Sequence, residues 1–178
     1  RKYQMNSNIE IVGLILSLLN YCFVFLMIFN LLKVNYFNPI VSTFVKIYKP
    51  ISKILPTLIN PVINIFVIAV GLKLLSLIVY FGSQYETITL LGVAIIQTLM
   101  VTVRIIFFAV IGGVILSWVS PEKSNAFLEL VVEISYKSLE PIRKYIPSAG
   151  GLDFSPLFVL ILINLIENFL SDILRSIV

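Results

Sequence analysis

The stretch ITLLGVAIIQTLMVTVRIIFFAVIGGVILSW, residues Ile88–Trp118, decides the fold, because its 31 consecutive residues contain a single charge, Arg104. About 20 mostly apolar residues are enough to cross the hydrocarbon layer of a bilayer, which is roughly 30 Å thick. A segment of this kind must be helical, since lipid offers no hydrogen-bond partner to a free backbone group. The stretch therefore predicts a transmembrane helix that exceeds one upright crossing and either tilts or extends into the headgroups.

Two adjacent glycines, Gly112 and Gly113, lie near the end of this stretch. They would allow the helix to kink or a neighbouring helix to pack close to it. Two short helices are the weaker alternative, because no polar break lies between Leu90 and Leu116.

Three other runs have the same apolar character. They are Ile9–Leu32, with Glu10 at its edge, Thr57–Gly82, with Lys73, and Phe154–Ile173, with Glu167 and Asp172. The chain of 178 residues is 59% hydrophobic and 12% charged, with a mean hydropathy of +1.04. Soluble domains carry about one quarter charged residues. We therefore predict an all-α membrane protein with four transmembrane helices.

Two long connections, Lys33–Pro56 and Val119–Ser155, each contain apolar residues at helical spacing. In the first these are Phe37, Ile40, Val41, Phe44, Tyr48 and Ile51; in the second they are Phe127, Leu128, Val131, Ile134, Ser135 and Leu139. Both patterns predict amphipathic helices, which either lie at the membrane surface or pack on the protein's own helices.

The two halves of the chain resemble each other. PISKILP at Pro50–Pro56 matches PIRKYIP at Pro141–Pro147, and a further proline follows each match, Pro61 in the first half and Pro156 in the second. We predict two tandem repeats, residues 1–82 and 83–178, each made of a span, an amphipathic helix, a proline elbow and a span. Ser155 would cap the last helix.

Basic residues predict the orientation of the spans. The two long connections would share one side of the membrane, and eight of the eleven cations at span ends or in loops lie there, namely Lys33, Lys46, Lys49, Lys53, Lys123, Lys137, Arg143 and Lys144. Cytoplasmic loops carry an excess of lysine and arginine. We therefore expect both long loops on the cytoplasmic side of a bacterial inner membrane.

Composition argues against an enzyme. The chain has no histidine and one cysteine, Cys22, so it lacks the commonest general base and metal ligand and cannot form an internal disulfide. No P-loop, GxSxG or dinucleotide fingerprint is present. We predict no catalytic residue, cofactor or metal site, and no nucleic-acid partner, because the basic residues are not interleaved with aromatic ones.

Three charges fall inside predicted spans: Lys73, Arg104 and Glu167. Such charges face the bundle interior or water, and Glu167 lies at a depth where Lys73 or Arg104 could reach it. The pair would form part of an ion or proton pathway, or it would fix helix register. We favour the structural role, since arginine does not give up its proton.

Other polar residues in the spans, Asn20, Asn30, Asn64, Gln97 and Asn164, are expected to bond between helices. Trp118 and the tyrosines near span ends are expected to anchor the chain at the interface. Asp153, just before the last span, is placed to cap free N–H groups of that helix.

Three motifs occur in order in the second half: ILSWVSP at Ile115–Pro121, EPIRKYIP at Glu140–Pro147 and GGLDFSP at Gly150–Pro156. Together they resemble the hallmark of the YggT/YlmG family. The residues that carry the resemblance are Ser117, Trp118, Pro141, Arg143, Pro147, Gly150, Gly151, Asp153, Ser155 and Pro156. The family often has an arginine before its Ser-Trp pair, where this chain has Gly112-Gly113-Val114, and the first half lacks the GGLD segment.

The resemblance implies a small bacterial inner-membrane protein with relatives in plastids. Relatives are associated with osmotic tolerance, with cell division or nucleoid distribution, and with assembly of a membrane b-type cytochrome, and the family pattern carries no enzymatic activity. The first hypothesis is a scaffold, assembly factor or accessory subunit, with the motif residues as a docking site for other membrane proteins in the lipid bilayer. The alternative is a small homo-oligomeric channel or permeation unit for osmotic or ion homeostasis.

Overall fold

The computed structural model describes residues 7–54, 60–119, 125–146, 148 and 151–177, and these form helices and no strand. The helices are α1 (Ser7–Leu31), α2 (Pro39–Ile54), α3 (Pro61–Phe81), α4 (Thr87–Val119), α5 (Ala126–Arg143) and α6 (Ser155–Ile177). Four of them, α1, α3, α4 and α6, are long and apolar enough to cross a membrane. The prediction of an all-α membrane protein with four spans is confirmed. The order long, short, long occurs twice, and the internal duplication stays a prediction.

Asparagine caps begin two of the helices. The Asn60 side chain accepts hydrogen bonds from the N–H groups of Val62 and Ile63 at 2.8 and 3.1 Å, ahead of a proline in the first turn of α3. Asn125 accepts from the N–H groups of Phe127 and Leu128, both at 3.0 Å, at the start of α5. These bonds satisfy backbone donors that have no partner within the helix.

Helix α4 is one continuous helix of 33 residues. At 1.5 Å per residue it is about 50 Å long, well beyond the hydrocarbon layer. Its glycines serve close packing: a Cβ at Gly112 would lie 2.9 Å from Val131 Cγ1, and one at Gly113 would overlap the Ser135 side chain. Of the two roles predicted for this pair, the structure shows the close approach of a neighbouring helix.

The core lies between α1, α3 and α4, and α4 also packs against α5 and α6. Phe29, Ile28 and Ile65 are fully buried there. The buried Asn20 amide donates to the Ala69 carbonyl at 2.7 Å and to the Thr98 hydroxyl at 3.3 Å, and so joins three helices. Polar bonds between helices specify how apolar helices pair in lipid, where burial of apolar surface does not distinguish partners.

Helix α5 packs along the end of α4 and buries Leu130, Ile134, Ser135 and Leu139. Phe127, placed on the apolar face by its spacing, is 62% exposed, and Leu130 is buried instead. The close approach at the two glycines of α4 sets this rotation. Of the two predicted alternatives, α5 shows packing on the protein's own helices, and a location of α2 and α5 at the membrane surface stays a prediction.

The first proline of each matched motif lies inside a helix, which corrects the predicted elbows. Pro50 is within α2, and Pro141 is within α5, which continues to Arg143. A proline removes one backbone hydrogen bond but can remain in a helix that other contacts hold. The second prolines, Pro56 and Pro147, lie outside the described residues.

The two long loops meet at one end of the molecule. The Asn38 amide donates to the Ala126 carbonyl at 2.8 Å, and the Asn35 N–H donates to the Glu133 carboxylate at the same distance. Both long loops therefore lie at one end of the molecule, and the assignment of that end to the cytoplasmic side of the membrane stays a prediction.

Candidate functional site

A cleft of about 720 Å³ opens at the loop end of the molecule, between the end of α4, the outer face of α5 and the start of α6. Six of the motif residues line it: Ser117, Trp118, Arg143, Gly151, Asp153 and Pro156. Residues that are up to 39 positions apart in the sequence are thus brought to one site. We call it the motif cleft.

Arg143 and Asp153 join α5 to the segment that precedes α6. The Arg143 Nε lies 2.9 Å from Asp153 Oδ2, and the guanidinium lies 4.9 Å from the centre of the Tyr136 ring. Arginine has five N–H donors. The remaining four make no hydrogen bond with the part of the chain that the structure describes. The arginine therefore retains donors for a partner.

Asp153 also fixes the start of α6. Its Oδ1 accepts a hydrogen bond from the Ser155 N–H at 2.9 Å, which satisfies one of the free donors of the first turn. Partial burial by itself would raise the pKa of Asp153, but the hydrogen bonds from Ser155 and Arg143 and the positive charge of Arg143 outweigh it and lower the pKa below its ordinary value. The carboxyl is therefore ionised near neutral pH.

Ser155 does not cap α6, contrary to the prediction. It is the first residue of the helix, it is fully buried, and its hydroxyl makes no hydrogen bond among the described residues. Asp153 accepts the hydrogen bond from the Ser155 backbone N–H instead, because it precedes the helix whereas Ser155 already lies inside it. Pro141 is exposed on α5 and does not line the motif cleft, and Pro147 and Gly150 lie outside the described residues.

The walls of the motif cleft are mainly apolar, and the rim is aromatic. The walls include Ile111, Val114, Leu139 and Leu160. At the rim, the Trp118 side chain is 82% exposed. The residues that the structure describes contain no group of His, Cys, Asp or Glu suited to a metal ion. The arrangement suits an apolar side chain or helix with a hydrogen-bond acceptor beside Arg143.

Two residues that line the motif cleft, Ser135 and Tyr136, were not predicted from the sequence as part of the site. The sequence pattern predicts only that Ser135 lies on the apolar face of its helix and that Tyr136 is an anchor at the membrane interface. Tyr136 precedes Arg143 by seven positions, which is two helical turns on one face, so the spacing carried the signal.

A second polar site lies near the middle of α4 and α6. Arg104 forms an ion pair with Glu167, with Nε at 3.0 Å from Oε1 and a further contact from the other end of the guanidinium. The side chains are 55% and 24% exposed, so the pair lies on the outer surface of the helices. Lys73 is half-buried in α3 and forms no ion pair with the described residues. The structure thus brings together two of the three predicted charges.

Three of the asparagines in the spans make two kinds of hydrogen bond. Asn20 bonds between helices, as predicted. Asn30 and Asn164 instead donate to carbonyls four residues earlier in their own helices, at 3.0 and 2.9 Å. Neither bonds to another helix among the described residues, so the prediction was wrong for them.

The region of this chain that matches a known protein family contains the motif residues. The family model described as CCB3/YggT matches residues 92–174, which include α5 and most of α4 and α6. A Haemophilus influenzae protein is 31% identical over 147 residues, covering 80% of this chain and 79% of its own.

A Pseudomonas aeruginosa protein, PA0392, is 31% identical over 165 residues, covering 84% of this chain and 80% of its own. The YggT protein of Escherichia coli K12 is 26% identical over 151 residues, covering 80% and 77%. None of these relatives' names states an activity, and no solved structure matches the chain. The shared residues, the family model and the extent of these alignments agree: the chain belongs to the CCB3/YggT family.

Proposed function

We propose that this chain is a non-enzymatic inner-membrane protein that binds another membrane protein at the motif cleft, as a scaffold, assembly factor or accessory subunit. The observation that carries the proposal is the convergence of Trp118, Arg143 and Asp153 on one open, mainly apolar cleft. An open apolar cleft that carries a tryptophan and an arginine is typical of a site for another protein.

The chemistry of the cleft defines the partner. Exposed tryptophan and arginine are the residues that most often dominate binding energy at interfaces. The free guanidinium donors of Arg143 fit a carboxylate or a helix carbonyl, and the apolar walls fit aliphatic or aromatic side chains. A helix of a second membrane protein, docked at the loop end of this bundle, supplies both.

The test is affinity purification from native membranes in mild detergent, read by mass spectrometry with stoichiometry. We expect a partner at a fixed ratio with the wild type. Arg143→Ala should reduce its recovery by about tenfold or more, since the loss of an interfacial arginine commonly costs 2 kcal/mol or more. Lys144→Ala is the matched control, because Lys144 is the neighbouring exposed cation and does not line the motif cleft.

Equal losses with both variants would mean that only charge matters and would contradict docking in the cleft. Recovery of the protein alone would also contradict it. A permanent subunit and an assembly factor differ in this measurement, since a subunit stays at fixed ratio in the mature complex.

A second candidate function is favoured by the Arg104–Glu167 pair. An ion pair near the middle of two spans and open on their outer surface is the kind of feature that marks an ion pathway. Four helices enclose little space, so permeation would require several copies. Flux through proteoliposomes that is lost with Arg104→Gln and Glu167→Gln would support this candidate, whereas a protein that passes no ions would exclude it.

A further inference from the structure

The outer face of α6 carries a regular row of residues that the fold leaves uncovered. The row consists of Leu157, Ile161, Asn164, Asn168, Ser171 and Arg175. Leu157 and Ile161 are 54% and 50% exposed, the two asparagines and the arginine are exposed, and Ser171 is half-buried. The residues that α6 buries within the molecule, such as Val159, Ile163 and Leu170, lie on the opposite side of the helix. We call the row the outer seam.

The spacing of the outer seam is alternately four and three residues. Every side of an α-helix repeats in this way, so the spacing shows that the six residues lie on one side of α6. A side that met only lipid would be apolar throughout, as is the neighbouring exposed row of Phe158, Leu162, Leu165 and Phe169, whereas the outer seam is polar from Asn164 onward.

The two asparagines of the outer seam have no partner on another helix in the part of the chain that the structure describes. Asn168 makes no hydrogen bond with the described residues, and Asn164 makes one, to its own helix. Both lie in the middle third of α6, at the depth of the Arg104–Glu167 pair beside them. Lipid tails cannot bond to these amides, so protein or water must cover them.

We propose that the outer seam packs against the outer seam of a second copy of this chain, in a parallel two-fold pair. In such a pair each seam position faces its own copy, so that apolar residues meet apolar ones and Asn168 meets Asn168. An asparagine side chain has both donors and an acceptor, so two of them bond to each other across the axis. A buried asparagine at one such position is also the device that fixes register and the number of helices in a coiled coil.

Charge is compatible with self-association. Arg104 and Glu167 pair within one chain, and Arg175 and Asp172 pair at 3.7 Å near the end of α6. Each charge thus has its counter-charge within its own chain, and the Arg175 side chain, which is 81% exposed in the last turn of α6, can turn toward water rather than toward its copy. The alternative that the outer seam lines a water-filled space fits less well, because Leu157 and Ile161 make its loop-side part apolar.

The proposal does not rest on partner docking at the motif cleft. Leu157 is shared with the rim of that cleft, and for this reason the experiment uses Asn168, which lies about 16 Å further along α6. Loss of dimerisation and loss of a heterologous partner are therefore separable.

The test is disulfide cross-linking in native membranes, in a Cys22→Ser background that removes the natural exposed thiol. Asn168→Cys and Ile161→Cys place single thiols in the outer seam. Phe169→Cys and Leu162→Cys are matched controls, because each is the next residue and is exposed on another side of α6. A disulfide needs Cα atoms within about 7 Å, so copper-phenanthroline oxidation should trap covalent dimers of the seam variants and leave the controls monomeric.

The two-fold pair is supported if one of the two seam variants forms covalent dimers while its control stays monomeric. Two positions are used so that the test still works if one substitution prevents folding. Equal cross-linking of seam and control positions would show random collision and overturn the proposal, as would monomers throughout. Labelling of uncross-linked Asn168→Cys by a membrane-impermeant maleimide would also overturn it and assign this face to water.

Discussion

At the residue scale, single side chains decide how close two helices come. Gly112 and Gly113 let α5 lie directly on α4, and the motif cleft forms beside that contact. The Asp153 carboxylate holds both the start of α6 and the Arg143 side chain. Each of these residues acts through its contacts within the chain and therefore has a measurable effect on stability.

Gly113→Ala is expected to destabilise the protein, because the added methyl group would overlap the Ser135 side chain and push α5 from α4. Overpacking of this kind costs about 1–3 kcal/mol. Thermal unfolding in detergent should show the loss. Gly71→Ala is the control, since nothing lies within 4 Å of the position of its Cβ, and alanine favours the helix by up to about 1 kcal/mol.

Ser135→Gly should restore much of the stability when it is combined with Gly113→Ala, because it removes the atoms that the new methyl group meets. A double variant as unstable as the sum of the single variants would contradict the proposed contact.

The contact of Arg143 with Asp153 is expected to depend on pH. The pKa of Asp153 is lowered in the folded protein, since the ion pair and the hydrogen bond from Ser155 outweigh partial burial. Its contribution to stability is therefore present above the ordinary carboxyl pKa of about 3.9 and is lost as the pH falls through the lower folded value. Because both side chains are more than a third exposed, solvent screens the pair and the effect is small.

Thermal unfolding between pH 7 and 3 measures this dependence. The difference in melting temperature between the wild type and Asp153→Asn should be constant above about pH 5 and shrink below pH 4. A difference that does not change with pH would mean that the carboxylate charge has no part in holding the start of α6.

At the element scale, α4 is the central helix, because it contacts α1, α3, α5 and α6. Its length could be read from its apolar run, and its 33 residues form one helix as expected. The helices that pack against α4 could not be predicted from its apolar run. Apolar side chains on every side of a span do not indicate which neighbour covers them.

The pair between α4 and α6 provides a test of their contact. Arg104→Gln or Glu167→Gln alone leaves one charge without its partner within the membrane, which costs about 2.5–3.5 kcal/mol at the centre of a span. The double variant should recover most of this loss. Unfolding in lipid or mild detergent measures the coupling, and additive losses would contradict a direct pair.

At the scale of the whole molecule, contacts between the loops place both long connections at one end. The motif cleft opens at that end, while the outer seam extends toward the other end of α6. The two surfaces share Leu157 and otherwise differ, and we propose the first for a different protein and the second for another copy of this chain.

Orientation in the membrane is testable with single cysteines in the Cys22→Ser background. Lys49→Cys and Lys144→Cys report on the two long loops, and Gln84→Cys reports on the short turn between α3 and α4. If the excess of basic residues sets the topology, a membrane-impermeant maleimide should label the Gln84 position in intact cells. The two lysine positions should react only in inside-out vesicles, and the reverse pattern would place the long loops outside.

The sequence by itself determined the four spans, the two helices in the long loops and the family, because long apolar runs and ordered motifs are properties of the chain read in one dimension. It also indicated Arg104 and Glu167 as possible partners from their depth. Only the tertiary structure decided which cation pairs with Glu167, that α5 turns Leu130 rather than Phe127 inward, and that Asp153 rather than Ser155 caps α6. These depend on the rotation and separation of neighbouring helices, which are set by contacts between residues far apart in the chain, such as Gly113 with Ser135.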